Sequence, residues 1–324
     1  MSSPSSKLPN LTTKTEEFIS AVEKEADTPL YELTPGKARE FLIHLQEKTP
    51  RVIEADVFDR NIFTENAGNI EIRVVRPKDS KDKTLPVILY IHGGGWIMGG
   101  PKTHDFLIRQ LANCTDSVII FPDYALSPEA KYPVALEQVY GVLTYIYENP
   151  SEFNIDENRI VIAGDSAGGN MATVVAMKAK KQNGPKILFQ ALFYPVTNAD
   201  MDTISYEDFA DGPWLTKKAM EWFWDAYAPD KKDRDCSYVS PLKASEEELK
   251  DMPPTLIITD ENDVLRDEGE AYARKLDFCG VDVLSIRVNG THHDFMMLNA
   301  LSETTPAKEA VMIACDVIKR VFYK

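Results

Sequence analysis

A serine lies between glycines where an apolar stretch of the chain stops. The segment reads IAGDSAGGN and has Ser166 at its centre; the strand pattern RIVIAG (159–164) precedes it and a helical pattern (169–182) follows. This G-x-S-x-G spacing between a strand and a helix is typical of a nucleophile elbow, a sharp turn that exposes the hydroxyl. A loop of small residues or a phosphate-binding helix N-terminus are the alternatives. The context favours Ser166 as a nucleophile.

A serine hydroxyl is a poor nucleophile near neutral pH, so it needs a general base that is itself oriented by a carboxylate. Two of the five histidines follow Ser166: His292 and His293, in the segment NGTHHDF behind the last predicted strand. His44 falls in an N-terminal helical stretch and His104 in a polar loop, where surface or core roles suffice. His292 and His293 are therefore the candidate bases.

The acid is expected between the serine and the histidine. The segment DENDVLRDEGE, which begins at the end of the strand pattern TLIITD (255–260), offers Asp260, Asp263 and Asp267, with Glu261 behind them. Asp260 closes the strand, and Asp267 is placed to cap the next helix. Asp263 lies in the turn between them, so its position favours it as the acid.

Three consecutive glycines, Gly93 to Gly95, follow the buried strand pattern PVILYIH (86–92). Glycine is costly in ordered backbone, so another group must approach closely here. Acyl transfer develops negative charge on a carbonyl oxygen, and each backbone N–H aimed at it is often worth ~10²–10³ in rate. One donor follows the nucleophile, here Ala167, and the other belongs to an HGGG-type loop. HGGGW thus predicts an oxyanion hole rather than a flexible surface loop.

Strand and helix patterns alternate along most of the chain, which predicts a mainly parallel sheet covered by helices on both faces. Ligands of such sheets bind beyond the carboxyl ends of the strands. IEIRVV (70–75) alternates as expected for a half-buried edge strand. The other strand patterns span 116–124, 187–195 and 281–288, and the other helical patterns span 133–149, 267–279 and 307–322.

Two stretches do not fit this alternation. Residues 12–48 read as a helical preface behind a Ser/Pro-rich start that we expect to be disordered, with Thr34 as an N-cap and Pro35 at the first helical position. Residues 198–245 are too long for a simple connection. In this stretch Thr216 is a candidate N-cap, and an aromatic stripe at helical spacing follows that either packs in the core or faces a substrate from an inserted cap. The stripe consists of Met220, Phe223, Trp224 and Tyr227.

Composition limits the possible partners. The 324 residues carry a net charge of −15, which makes nucleic acid an unfavourable partner. No secretory signal and no apolar run of about 18 residues is apparent, so we expect no membrane insertion. The four cysteines lack CxxC spacing and indicate ordinary thiols in the cytoplasm; they are Cys114, Cys236, Cys279 and Cys315.

Five segments, in order, resemble the hormone-sensitive-lipase family of α/β-hydrolases over residues 86–300 or so. They are HGGGW (92–96), DYALSPEAKYPVALEQ (123–138), GDSAGG (164–169), DVLRDEG (263–269) and HDF (293–295). The resemblance implies an α/β-hydrolase fold that needs no cofactor or metal. It also implies hydrolysis of small carboxylic esters with short to medium acyl chains, by a triad of Ser166, Asp263 and His293.

The family pattern also implies roles around this triad. Gly94 and Gly95 would donate to the oxyanion together with Ala167, while His92 and Gly93 would support the loop. The chain would form a single domain (1–324) in which segments 1–50 and 198–245 build a helical cap. Pocket candidates are Trp96, Trp214 and Trp222, and a homodimer through an edge strand is expected.

Two positions depart from the family pattern, and two other functions remain open. Ala125 stands where the family commonly has Arg, and Asp294 stands where it commonly has Gly after the histidine. Asp294 could raise the basicity of the neighbouring base or point to solvent. The same residues would serve an amidase or deacetylase, and a non-catalytic receptor of this fold is the alternative outside enzymes.

Overall fold

The computed structural model describes residues 10–25 and 28–324; the Ser/Pro-rich start predicted to be disordered lies, but for Asn10, outside this part. An eight-stranded sheet forms the centre, in the order β1-β2-β4-β3-β5-β6-β7-β8. Its strands are β1 (Ala55–Thr64), β2 (Gly68–Pro77), β3 (Leu85–Ile91), β4 (Val118–Asp123), β5 (Ile155–Asp165), β6 (Phe189–Phe193), β7 (Thr255–Asn262) and β8 (Val283–His292).

The helices alternate with these strands from β3 onward, as the sequence predicts. They are α1 (Thr13–Glu25), α2 (Pro35–Lys48), α3 (Pro101–Thr115), α4 (Val134–Glu148), α5 (Ala167–Lys181), α6 (Ile204–Asp208), α7 (Lys217–Tyr227), α8 (Glu246–Leu249), α9 (Arg266–Phe278) and α10 (Thr305–Phe322). Helix α3 packs with α10, whereas α4 packs with α5. Every residue of β3 is buried, so the centre of the sheet is covered on both faces.

The strands from β3 to β8 pair in parallel, while β2 is antiparallel to both β1 and β4. Parallel strands need crossover connections, and the helices between them supply these. The predicted fold class, a mainly parallel sheet with helices on both faces, is confirmed. It brings the ends of β3, β5, β6, β7 and β8 to one edge of the sheet.

The edge-strand prediction for IEIRVV is wrong. This segment lies in β2, which is an internal strand, and the edge beside it is formed by β1, which the sequence analysis missed. Glu71 is exposed on β2 while Ile70 and Ile72 are buried, so the alternation reports one partly solvated face rather than an edge position. Strand β1 could not be recognised from its sequence, ADVFDRNIFT, because this sequence mixes charged and exposed apolar residues.

Helix starts were partly predictable. Thr34 caps α2 and accepts a hydrogen bond from the N–H of Lys37, and Thr216 caps α7 by accepting from the N–H of Ala219. The cap predicted at Asp267 is wrong, because this residue lies inside the first turn of α9. Its carboxylate instead accepts a hydrogen bond from the N–H of Ser205, at 2.9 Å.

Candidate active site

Ser166 occupies a strained turn between β5 and α5. Its φ is +53° with ψ −121°, a sparsely populated conformation that costs a non-glycine residue about 1–3 kcal/mol and persists only where the surroundings enforce it. The flanking glycines allow close approach: a Cβ at Gly168 would lie 2.0 Å from the carbonyl oxygen of Ile91, and one at Gly164 would lie 2.5 Å from that of Gly168. Ala167 begins α5, so its N–H has no intrahelical acceptor.

The three side chains of the predicted triad meet at the carboxyl edge of the sheet. Ser166 Oγ lies 2.8 Å from His293 Nε2, and His293 Nδ1 lies 2.8 Å from Asp263 Oδ2. The N–H of Leu265 donates to the other oxygen of Asp263 at 3.0 Å, which fixes the carboxylate. All three are buried. The arrangement can pass a proton from the hydroxyl to an imidazole whose tautomer is set by the carboxylate.

Charged neighbours determine the basicity of His293. Burial lowers its pKa, but the carboxylates of Asp263 and Asp294 outweigh this effect and raise the pKa above its usual value. The ring of Tyr194 packs edge-on against the imidazole with its centroid 4.9 Å away. His293 is thereby held as a strong base that is largely shielded from water.

Asp294 faces the base rather than solvent. One carboxylate oxygen lies 3.5 Å from His293 Nε2, and the other accepts a hydrogen bond from Trp214 Nε1 at 2.9 Å. Its backbone is left-handed, with φ 71°, a conformation that aspartate tolerates better than most residues. This explains how Asp294 can stand where the family commonly has glycine, and it places a second carboxylate beside the imidazole.

His292, the competing candidate base, does not reach the serine. Its Nδ1–H donates to the carbonyl oxygen of His293 at 2.6 Å, and its ring stacks on Phe18. Burial lowers the pKa of His292 to about 4, so the ring is neutral. Its contacts make it a structural residue of the loop.

The glycine loop follows β3 and borders the same cavity as Ser166. Gly94 has φ 101° and Gly95 has φ 61°, values that disfavour a side chain. A Cβ at Gly94 would also lie 2.5 Å from the carbonyl oxygen of Met98, and a Cβ at Gly95 would lie 2.3 Å from the ring of Phe223. Neither glycine's N–H donates a hydrogen bond to another described residue. Two free amides are thus available to an oxyanion.

The base of this loop is fixed by buried hydrogen bonds. His92 Nδ1–H donates to the carbonyl oxygen of Gly93 at 2.8 Å, and the hydroxyl of Tyr124 donates to the carbonyl oxygen of His92 at 2.7 Å. Burial, followed by the charge of His104, lowers the pKa of His92 to about 3. A Cβ at Gly93 would lie 2.3 Å from Oδ2 of Asp165. The adjacent carboxylate therefore leaves no room for a side chain at this position.

A network beneath the serine was missed by the sequence analysis. Asp165 is completely buried and accepts hydrogen bonds from the hydroxyl of Tyr90 at 2.8 Å and from His104 Nε2 at 3.2 Å. Although burial raises the pKa of Asp165, these two partners lower it below its usual value. His104 lies in α3, not in a polar loop. Pro101 at the first helical position was the signal available for this helix.

A cavity of about 780 Å³ opens above the triad, within the usual range for small-molecule sites. Both the N-terminal helices and the 198–245 segment border it. Its apolar lining surrounds the serine, the base and the two glycines, and includes Ile19, Val22, Leu30, Leu33, Phe41, Leu45, Met98, Trp214, Leu215, Phe223 and Met297.

Only one of the three pocket tryptophans lines this cavity. Trp214 does so and orients Asp294. Trp96 does not, because its ring is completely buried against Tyr227, with centroids 4.2 Å apart. Trp222 does not either, since its ring packs beside Phe223 on α7. Trp96 and Trp222 are therefore corrected to packing residues.

The aromatic stripe of α7 serves both of the roles left open by the sequence. All four of its residues are buried. Trp224 packs against Trp96, whereas Phe223 lines the cavity opposite Gly95. The stripe therefore joins the helix to the core and supplies one ring to the cavity.

None of the helices that the structure describes is both long and apolar enough to cross a bilayer. The four cysteines are free thiols, one of them exposed.

Known proteins share this architecture. A family model described as an alpha/beta hydrolase fold matches residues 88–297. A relative named an alpha/beta hydrolase, from Acanthamoeba polyphaga mimivirus, is 43% identical over 90% of this chain and 84% of its own length. Carboxylesterase NlhH of Mycobacterium tuberculosis is 37% identical over 74% of this chain and 75% of its own.

Among solved structures, a thermostable esterase from Pseudomonas putida is similar over 100% of both chains, with a TM-score of 0.95 and 43% identity. The family model covers the chain from β3 to the loop that carries His293. The resemblance predicted from the five motifs is therefore confirmed, and this chain belongs to the α/β-hydrolase family.

Proposed function

We propose that this chain is a serine carboxylesterase in which Ser166 is the nucleophile, His293 the general base and Asp263 the residue that orients the base. The observation that carries the proposal is the continuous relay of two 2.8 Å contacts, from Ser166 Oγ to His293 Nε2 and from His293 Nδ1 to Asp263 Oδ2. The relatives named as esterases support the same reaction.

In the first half of the reaction, Ser166 Oγ attacks the ester carbonyl while His293 Nε2 takes the hydroxyl proton. Asp263 holds the neutral tautomer before this step and stabilises the imidazolium after it. The tetrahedral oxyanion accepts hydrogen bonds from the N–H groups of Gly94, Gly95 and Ala167. The imidazolium then protonates the departing alkoxide, which leaves an acyl group on Ser166.

In the second half, water replaces the alcohol. His293 takes a proton from this water, whose oxygen attacks the acyl carbonyl and forms a second oxyanion at the same amides. Collapse returns the proton to Ser166 Oγ and releases the carboxylic acid. Asp294 adds negative charge beside the imidazole during both halves.

Segments 1–50 and 198–245 act as the cap, and together with the hydrolase core they make 1–324 one domain. Described residues of both segments line the cavity, among them Phe41 from the first and Trp214 from the second. The apolar lining suits acyl or alcohol groups of short to medium length. Charged residues such as Glu23, Lys48 and Lys218 also border the cavity.

A chain-length series of p-nitrophenyl esters tests the proposal, with wild type compared with Ser166→Ala. We expect the highest kcat/KM on short acyl groups. The alanine variant should lose roughly 10⁴-fold or more in kcat, since the triad acts as a unit. Unchanged turnover by the variant would contradict the assignment. Equal turnover of very long chains would contradict only the acyl-length preference.

The cellular site and oligomeric state are further parts of the proposal. The four free thiols support a reducing compartment, the cytoplasm. The edge position of β8 leaves a strand available for a homodimer. Size-exclusion chromatography with light scattering tests the dimer, and a monomer at micromolar concentration would contradict it.

A further inference from the structure

Asp260 is a carboxyl group that the proposed mechanism does not use. It lies on β7, three residues before Asp263, and is completely buried. Neither of its oxygens has a hydrogen-bond partner among donors of the described residues. An ionised carboxylate in such a position is strongly unfavourable, and buried carboxyl groups without a cation normally take up a proton instead.

The group lies next to the proposed triad. One oxygen of Asp260, one of Asp263 and one ring nitrogen of His293 all lie within 4.8 Å of one another. Two carboxylates this close in a protein interior cannot both be ionised, because their repulsion forces one to hold a proton. Asp263 accepts hydrogen bonds from the Leu265 N–H and from His293. Asp260 has no such donors, so it is the carboxyl group of the pair that holds the proton.

We propose that Asp260 is a positioning residue that stays protonated and donates its O–H to the Asp263 carboxylate, limiting the negative charge that Asp263 presents to His293. The inference rests on the proposed triad. Asp260 makes no contact with substrate. It acts on the basicity of the His293 imidazole through the Asp263 carboxylate.

The groups around Asp260 agree with this assignment. Asp263 in the loop after β7 and His293 in the loop after β8 lie within 4.8 Å of it. Asp294 in the loop after β8 and Tyr194 at the end of β6 interact with it electrostatically. Burial first, then the charges of Asp263 and Asp294, hold the pKa of Asp260 well above its usual value.

The pH dependence of Asp260 variants distinguishes a protonated Asp260 from an ionised one. The readout is the acid limb of kcat/KM on a p-nitrophenyl ester, which reports the pKa of the base in the free enzyme. Asp260→Asn keeps a neutral donor, so we expect the midpoint of the limb to stay at its wild-type value. Asp260→Leu removes the donor, leaves more charge on Asp263 and should move the midpoint to higher pH by roughly one unit.

If Asp260 were ionised, both substitutions would remove a negative charge near His293 and move the midpoint to lower pH. That result overturns the proposal. Glu261→Gln is the matched control: it removes the carboxylate of the next residue, whose oxygen accepts from the Gly290 N–H at 2.7 Å, and should leave the limb unchanged. A merely structural role of Asp260 would change stability or kcat without moving the midpoint.

Infrared difference spectra of wild type and Asp260→Asn give a readout that needs no activity. We expect a carbonyl band of a protonated carboxyl group at neutral pH in the wild type and its loss in the variant, even if Asp260→Leu fails to fold. Absence of this band in the wild type overturns the proposal. A failure of the triad itself would be seen separately, as retained esterase activity in Ser166→Ala.

Discussion

The floor and the roof of the cavity are held in different ways. The floor consists of the serine turn, the glycine loop and the triad, where five buried polar contacts span 2.6–3.2 Å and a Cβ at each of Gly93 to Gly95 would overlap a neighbour. The roof consists of the N-terminal helices and the 198–245 segment, which present apolar side chains. Hydrogen bonds and steric limits fix the positions of the residues in the floor, whereas apolar contacts in the roof tolerate substitution by side chains of similar volume.

The difference indicates that the floor determines the reaction and the roof determines the substrate. Changes in the floor should reduce turnover of every ester, while changes in the roof should alter the ranking of esters. Four substitutions test this division, beginning with the one from which we expect the largest effect.

Gly95→Ala tests the floor. A Cβ at this position would lie 2.3 Å from the Phe223 ring on a backbone with φ 61°, so the loop must shift and its amide must leave the oxyanion. We expect kcat to fall by about 10²–10³ on short and long esters alike. Gly36→Ala on α2, where nothing lies within 4 Å of the added Cβ, is the control and should keep wild-type kinetics. A loss confined to long esters would contradict the division.

His104→Leu tests the network beneath the serine. The substitution removes a buried donor to Asp165 and leaves that carboxylate with fewer partners. The free energy of unfolding should fall by about 1–3 kcal/mol, as measured by urea denaturation. Stability equal to wild type would mean that the His104–Asp165 contact does not support the floor.

Leu215→Trp tests the roof by filling part of the apolar lining. Added volume excludes the larger substrates, so the ratio of kcat/KM for short over long acyl chains should rise by about tenfold or more. Turnover of the acetate ester should remain within a few-fold of wild type. Ser302→Ala, a change of small size outside the cavity lining, provides the control. An equal loss of kcat/KM on all chain lengths would mean that Leu215 affects the reaction itself, as the residues of the floor do, and would contradict its assignment to the roof.

Asp294→Asn tests the point where floor and roof meet, because Trp214 of the roof holds the carboxylate that faces His293. A carboxylate near an imidazole favours the protonated form, and its removal lowers the pKa of the base. The acid limb of kcat/KM should therefore move to lower pH, by less than about one unit given the 3.5 Å separation. A shift to higher pH would contradict the charge assigned to Asp294.

The parts of the site that follow from local sequence were predictable. The strand, turn and helix around Ser166 fix its geometry within a few residues, and the order of the motifs limited the acid and the base to short segments. The alternation of strands and helices likewise predicted the parallel sheet. Position in the loop favoured Asp263, which the structure places against His293.

The parts of the site that depend on distant contacts were not predictable from the sequence. His104 binds Asp165 across 61 positions of sequence, and no local pattern identifies such a pair. Trp96 was expected at the pocket, but its ring turns into the core against Tyr227. The two oxygens of Asp260 without partners also become apparent only when the fold brings His293 to the end of β7.

Labelling with a fluorophosphonate, followed by mass spectrometry of the digested protein, tests the central claim most directly. The reagent should modify Ser166 of the wild type at a rate that rises with pH through the titration of His293. The label should be absent from Ser166→Ala and strongly slowed in His293→Ala. A wild type that hydrolyses esters while its label falls on another residue, or that labels equally fast without His293, would contradict the account.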